Sequence, residues 1–234
     1  MILIVSVTIL TGCYYENGHQ KRIEESGPIV QRVLELDDFE GIIIQNTADV
    51  FITKGNTQSV EVEGSENIIQ NLGTEVSRRI WRIRNKRPVW RTKHLVIRIT
   101  IPEFSLIKIS GSGQVETVTP FNNLDDVELR ISGSGDLHIN MKAKDVIGRV
   151  SGSGSIHLSG EAMQVDFNIS GSGNIYANDL KASKGSSRIG GSGSIRTYVT
   201  EDLDARISGS GNIIYRGRPR INSSISGSGN IRSR

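Results

Sequence analysis

Cysteine is nearly missing from this chain of 234 residues. Cys13 is its single thiol, so no disulfide can close within the chain. Aromatic residues make up 5% of the composition, which excludes a core built on rings. Long apolar runs are missing too: Ile2 to Leu10 falls well short of the ~20 residues a membrane helix needs. No long amphipathic helical pattern is visible, although Ile68 to Val76 could hold a short helix. Glycine is in excess at 26 residues, so the fold must accept many positions without a side chain. The net charge of +3 is a mild basic excess that identifies no partner.

The N-terminus reads MILIVSVTILTGC. A short apolar run followed by small residues is the pattern of a signal peptide over residues 1–12. Leu10-Thr11-Gly12-Cys13 resembles the lipobox of bacterial lipoproteins, although no Lys or Arg precedes the apolar run. That resemblance implies acylation of Cys13, with palmitate among the acyl groups, and anchoring in the outer membrane. Residues 13–34, which include YYENGHQKRIEESGP, then form a polar tether.

The rest of the chain repeats itself. Units beginning at Ser110, Ser132, Ser151, Ser170, Gly190, Ser208 and Ser226 carry the phrase SGSG (GGSG at Gly190), spaced 22, 19, 19, 20, 18 and 18 residues apart. Self-similarity at this period signals a solenoid. Within each unit apolar and polar residues alternate, as in a half-buried strand. Aligned units place Ile109, Ile131, Val150, Ile169, Ile189, Ile207 and Ile225 before the phrase, and Val115, Leu137, Ile156, Ile175, Ile195, Ile213 and Ile231 after it. Two aliphatic ladders with two inward glycines between them predict an all-β fold: a parallel β-helix, or β-solenoid, with coils of about 18–20 residues. The glycines are expected to permit a tight corner, the serines to face water, and stretches such as NMKAKD and NDLKAS to be links. Residues 35–234 form one domain on this reading, with degenerate coils over 35–109 and regular ones over 110–234. The segment Ile44 to Ile52 overlays Ile131 to Ile139 with its glycines lost.

The pattern FEGIIIQNTADVFITKG, then LVIRITIPEFSLIKISGSG, then repeated ISGSGNI resembles the auto-transporter adhesin head (GIN) domain family of bacterial envelope proteins. The resemblance runs from about Leu36 to the C-terminus. It implies a β-helix related in shape to pectin-lyase folds, with no catalytic constellation, and a role in adhesion.

Three outer features bear on function. Lys108, Arg130, Arg149, Arg188 and Arg206 share one column and would make a basic stripe suited to acidic groups on a polysaccharide or lipid. Glu128, Asp166 and Asp204, two residues further back, would neutralise it, and that bland reading is favoured. Denser still is RRIWRIRNKRPVWRTK, where Arg78, Arg79, Arg82, Arg84, Lys86, Arg87, Arg91 and Lys93 interleave with Trp81 and Trp90. That mixture suits an anionic ligand, with nucleic acid the least expected for an exported protein. Its bland counterpart is a hairpin turning near Asn85-Lys86-Arg87-Pro88 with both tryptophans packed on the coil end. His138 and His157 fall on adjacent rungs, followed by Tyr176 and Arg196, without the carboxylate or cysteine that would make a metal site. The column holding Asp136 supplies too few carboxylates for calcium, and its asparagines could form ladders between rungs.

These features point to a membrane-anchored adhesion or binding module, with anionic glycan as its candidate ligand. No enzyme activity, cofactor, metal or nucleic acid is expected. A carbohydrate-active enzyme would need paired carboxylates at matched separation, and the acids here are scattered. An envelope assembly protein is the other alternative, since an uncovered C-terminal coil could pair with a second copy.

Overall fold

Each SGSG phrase is a bend, and the chain on both sides of it is strand. The computed structural model describes residues 22–234. Cys13, the segment 1–12 and the first part of the expected tether lie outside the described residues. In chain order the first elements are β1 (Ile29–Val33), β2 (Gly41–Ile44), β3 (Asp49–Lys54), β4 (Ser59–Ser65) and α1 (Glu66–Gln70). Then come β5 (Val76–Ser77), β6 (Ile80–Ile83), β7 (Leu95–Ile101), β8 (Leu106–Ile109) and β9 (Gln114–Thr117). The long strands β10 (Phe121–Ile131), β11 (Asp136–Val150), β12 (Ser155–Ile169), β13 (Asn174–Ile189) and β14 (Ser194–Ile207) each end on an SGSG-type bend. β15 (Asn212–Arg216), β16 (Arg220–Ile225) and β17 (Asn230–Ser233) complete a single 17-stranded sheet.

Successive coils pair in parallel and in the register expected from the sequence. Ile131 sits opposite Val150, Val150 opposite Ile169, Ile169 opposite Ile189, and Ile189 opposite Ile207. The second ladder runs from Leu137 through Ile156, Ile175 and Ile195 to Ile213. Both ladders are buried until the last coil, where Ile225 is 47% exposed. Burying each such side chain contributes about 1.5–3 kcal/mol, so the repeated isoleucines are the main cohesive element of the stack.

Three expectations need correction. The first concerns the glycines. A methyl group on Gly133 would lie 2.0 Å from the carbonyl oxygen of Gly111 in the neighbouring coil, and one on Gly152 would lie 2.0 Å from that of Gly133. The collision therefore runs along the stacking axis, backbone against backbone, and not across a narrow corner. Glycine is dispensable where no matching bend lies beneath, which explains Asn46 and Ala48. Their coil rests on residues 80–101, where the loop 84–94 replaces the bend. Asn46 Oδ1 instead accepts the Ala48 N–H (3.2 Å) and closes the turn locally.

Second, the expected links are strand. Asn140 to Ala143 pair residue for residue with Ser159 to Ala162. The coil turns just beyond, where neither Lys144 nor Asp145 is buried and the alternation slips by one position.

Third, the N-terminal part is not a simple series of coils, and the tether ends early. β2 and β3 lie between two neighbours in the stack, β6 and β7 on one side and β8 and β9 on the other. Residues 59–77 make no coil. β4 runs antiparallel to β7 and β1 antiparallel to β4, covering an edge that would otherwise be open. Ile23, Val30 and Leu34 pack against the core, so residues 22–34 belong to this cap. The short helix is Glu66–Gln70, which buries Ile68 and Ile69.

Candidate functional site

The segment 78–93 is divided among several surroundings. The hairpin turn falls at Arg78 and Arg79, both at positive φ (53° and 58°), between β5 and β6, and not at Asn85–Pro88. Trp81 is buried; its indole N–H donates to the Gly73 carbonyl (3.0 Å) and its ring lies 5.7 Å from Phe39. Trp81 is therefore a core residue, whereas Trp90 is 70% exposed. Arg79 pairs with Glu40 (3.0 Å) and Arg84 with Glu75 (3.4 Å). Arg82 is exposed and continues the column of the basic stripe through Ile43 to Lys108. Lys86, Arg87, Arg91 and Lys93 are exposed on the loop that leads from β6 to β7.

The stripe itself is in register from Lys108 to Arg206. Its charge is largely answered by the acids two residues back. Arg130 donates to Glu128 (2.6 Å), Arg149 lies between Glu128 (3.8 Å) and Asp166 (3.7 Å), Arg188 meets Asp166 (3.0 Å), and Arg206 meets Asp204 (2.8 Å). Such half-exposed pairs contribute little stability each, but they leave few free positive charges for a ligand.

The column of His138 forms a different surface. Its imidazole stacks face to face on His157, centroids 4.4 Å apart and planes within 4°. His157 lies 4.7 Å from the Tyr176 ring, and the Arg196 guanidinium covers the other face of that tyrosine at 5.2 Å. The parallel register generates this pile, because identical outward positions recur once per coil. Glu116 stands on the rung before His138. An open groove of about 560 Å³ runs over the pile, also lined by Asn140, Ser159 and Asp179. Since the rings cover one another's faces, they present edges to the groove: imidazole nitrogens, a phenol hydroxyl and a guanidinium. Burial lowers the His157 pKa, helped by the neighbouring His138 and partly offset by Asp136. A neutral imidazole there can both donate and accept.

The groove continues past Arg196 into a second depression of about 430 Å³. Arg216 stacks on Tyr198 (4.9 Å), and Arg232 and Arg234 close the far end around Ile214. Among the described residues none of Arg196, Arg216, Arg232 and Arg234 forms an ion pair, and Asp179 is the one carboxylate lining this end. Sequence reading noted the histidine pair and its followers but missed the groove and its arginine end. Column alignment carried the signal, since Arg196, Ile214 and Arg232 are in register. Among the described residues no side-chain hydrogen bond joins the asparagines of the Asp136 column; there Asp136 Oδ1 accepts the Ser155 N–H (2.9 Å). Among the described residues no three His, Cys, Asp or Glu side chains gather as a metal site.

Comparison with known proteins sets this geometry in context. Residues 38–219 match the family described as "putative auto-transporter adhesin, head GIN domain". A crystal structure from Parabacteroides distasonis, titled a putative lipid binding protein, is 27% identical, with a TM-score of 0.77 over 92% of this chain and 100% of that one. A putative adhesin from Bacteroides fragilis is 25% identical, with a TM-score of 0.86 over 91% of this chain and 100% of that one. A putative adhesin from Parabacteroides merdae shares the fold at 22% identity, with a TM-score of 0.73 over 91% of this chain and 99% of that one. No curated protein matches the chain.

Proposed function

The chain belongs to the auto-transporter adhesin head (GIN) family, and from that premise we propose a lipid-anchored binding module of the bacterial cell envelope. Its anchor is Cys13 in the outer membrane, its contact surface is the groove over His138, His157 and Tyr176, and its ligand is an anionic glycan. The observation that carries this reading is the groove's run of hydrogen-bonding edges ending in four arginines that have no ion-pair partner among the described residues. Polar edges repeated once per coil suit the hydroxyls of a linear saccharide, and unpaired guanidiniums suit its carboxylate or sulfate groups. Catalysis is disfavoured. The groove's carboxylates Glu116 and Asp179 stand three coils apart, about 14 Å along the stack. That exceeds the roughly 5–9.5 Å at which glycosidase carboxylates cooperate.

Titration calorimetry with uronic-acid and sulfated oligosaccharides at low ionic strength tests the proposal. Binding should weaken with salt and fall at least tenfold in a Tyr176→Ala, Arg196→Ser double variant. Replacing Arg82, Arg84 and Arg87 with Ser should leave it unchanged. Loss of binding only in that triple variant would move the site to the 78–93 segment and overturn the groove. Turnover of polygalacturonate by the wild-type protein would overturn the binding-only role. Labelling with radioactive palmitate, abolished by Cys13→Ser, tests the anchor.

A further inference from the structure

The cap at the N-terminal end of the stack carries a surface that the groove does not use. Trp90 stands on it 70% exposed, with the Arg22 guanidinium 5.3 Å over its ring. Backbone bonds hold the main chain at this position: Trp90 N–H donates to Ile23 O (2.9 Å), and Ile23 N–H donates to Pro88 O (2.8 Å). Exposed Lys86, Arg91 and Lys93 share the same loop. The acids nearby in sequence are Glu24 and Glu25. Glu25 accepts from the Ser65 hydroxyl (2.7 Å) and the Lys93 N–H (2.5 Å), and its carboxylate also attracts the Lys93 side chain, leaving Arg22, Lys86 and Arg91 as the surface's main cations. Two further apolar side chains of the cap, Ile29 and Val33 on β1, are also exposed.

An indole this exposed contributes little to folding, since most of its apolar area stays wet. With Arg22 on its face and Lys86, Arg91 and Lys93 in the same loop, it has the composition that settles at the headgroup level of a bilayer. The amphipathic ring fits the interface, and nearby Lys and Arg side chains are attracted to an anionic surface. We infer that the cap surface of Arg22, Lys86, Trp90, Arg91 and Lys93 docks on an anionic phospholipid surface, with Trp90 inserted among the headgroups. The anchoring proposal supplies proximity: nine residues separate Cys13 from Ile23, a reach of at most roughly 35 Å. The docking contact itself needs no acyl group.

The two tryptophans make the test direct, because Trp81 is buried and Trp90 is not. The full chain is mixed with phosphatidylcholine vesicles, with or without phosphatidylglycerol, whose acyl chains are brominated near the headgroup. Tryptophan emission is then read, and flotation measures association. The expected result is loss of the Trp90 share of the emission on vesicles containing phosphatidylglycerol, reversed by high salt and absent in Trp90→Ser. Cys13→Ser should keep the quenching. Protein that floats with Trp90 unquenched would overturn the docking contact while leaving the anchor standing. Equal quenching on neutral and anionic vesicles would overturn the choice of an anionic surface. Protein that neither floats nor is quenched would overturn the contact as well.

Discussion

A methyl group at Gly152 would stand 2.0 Å from the Gly133 carbonyl oxygen, whereas one at Gly190 meets nothing nearer than 3.8 Å. Two glycines of the same repeated phrase therefore answer to different constraints. Gly152→Ala must push two coils apart, at a cost of about 1–3 kcal/mol or more, because the obstacle is backbone and cannot rotate away. Gly190→Ser should fall within about 0.5 kcal/mol of wild type, since serine already occupies that position in the other units. Urea denaturation of both variants checks the pair, and an equal loss in each would sink the stacking account. Aligned units did reveal that the phrase is a bend with outward serines. The reason for the glycines was hidden, because one unit read alone does not reveal that its neighbour's carbonyl lies in the path of a Cβ. The same gap concealed the division of the tryptophans. Trp81 and Trp90 sit in similarly basic surroundings, and only the folded cap sends one to Gly73 and the other to water.

The elements differ in how far the sequence discloses them. β10 to β14 repeat one pattern, so each coil confirms the register of the next, and both ladders were legible. β4 and β1 pair antiparallel with partners far along the chain, and no local period encodes such a pairing. The out-of-order insertion of β2 and β3 in the stack escapes for the same reason. The ring pile bridges β11, β12 and β13, and it carries a pH dependence. Burial lowers the His157 pKa below its ordinary 6.5, with His138 adding to the effect. The unfolded chain therefore binds this proton first as pH falls. The stabilisation is complete above about pH 6.5 and is lost as pH drops through the lower folded value. Thermal melts from pH 7.5 to pH 5 should show a falling Tm in wild type and a flatter profile in His157→Gln. A steeper decline in the variant would refute the linkage. Because the pile floors the groove, the same protonation would also remove the acceptor that a neutral His157 offers a ligand.

At the scale of the whole stack, the described residues form two unlike ends. One is sealed by β1 and β4 and carries Trp90; the other ends in β16 and β17, where every residue of β16 is exposed. At ~4.8 Å per coil, the seven regular coils and the two beneath them separate these ends by roughly 40 Å. A cap docked on a bilayer would thus hold the arginine end well clear of the headgroups, where an adhesive contact is useful. In a solenoid each coil touches only its neighbours, so stability is local and the least covered coils open first. Amide hydrogen exchange should be slowest in β12 to β14, with protection kept toward the cap and falling sharply through β15, β16 and β17. Uniform protection across all coils would mean a single global opening and would refute this picture. Ligand linkage sharpens the test, because a saccharide bound by Arg216, Arg232 and Arg234 stabilises only the state in which those coils are formed. Adding an anionic oligosaccharide should slow exchange in β15 to β17 and leave β6 and β7 unchanged. Slowing at β6 and β7 instead would relocate the contact to the cap and separate the two surfaces in the opposite sense.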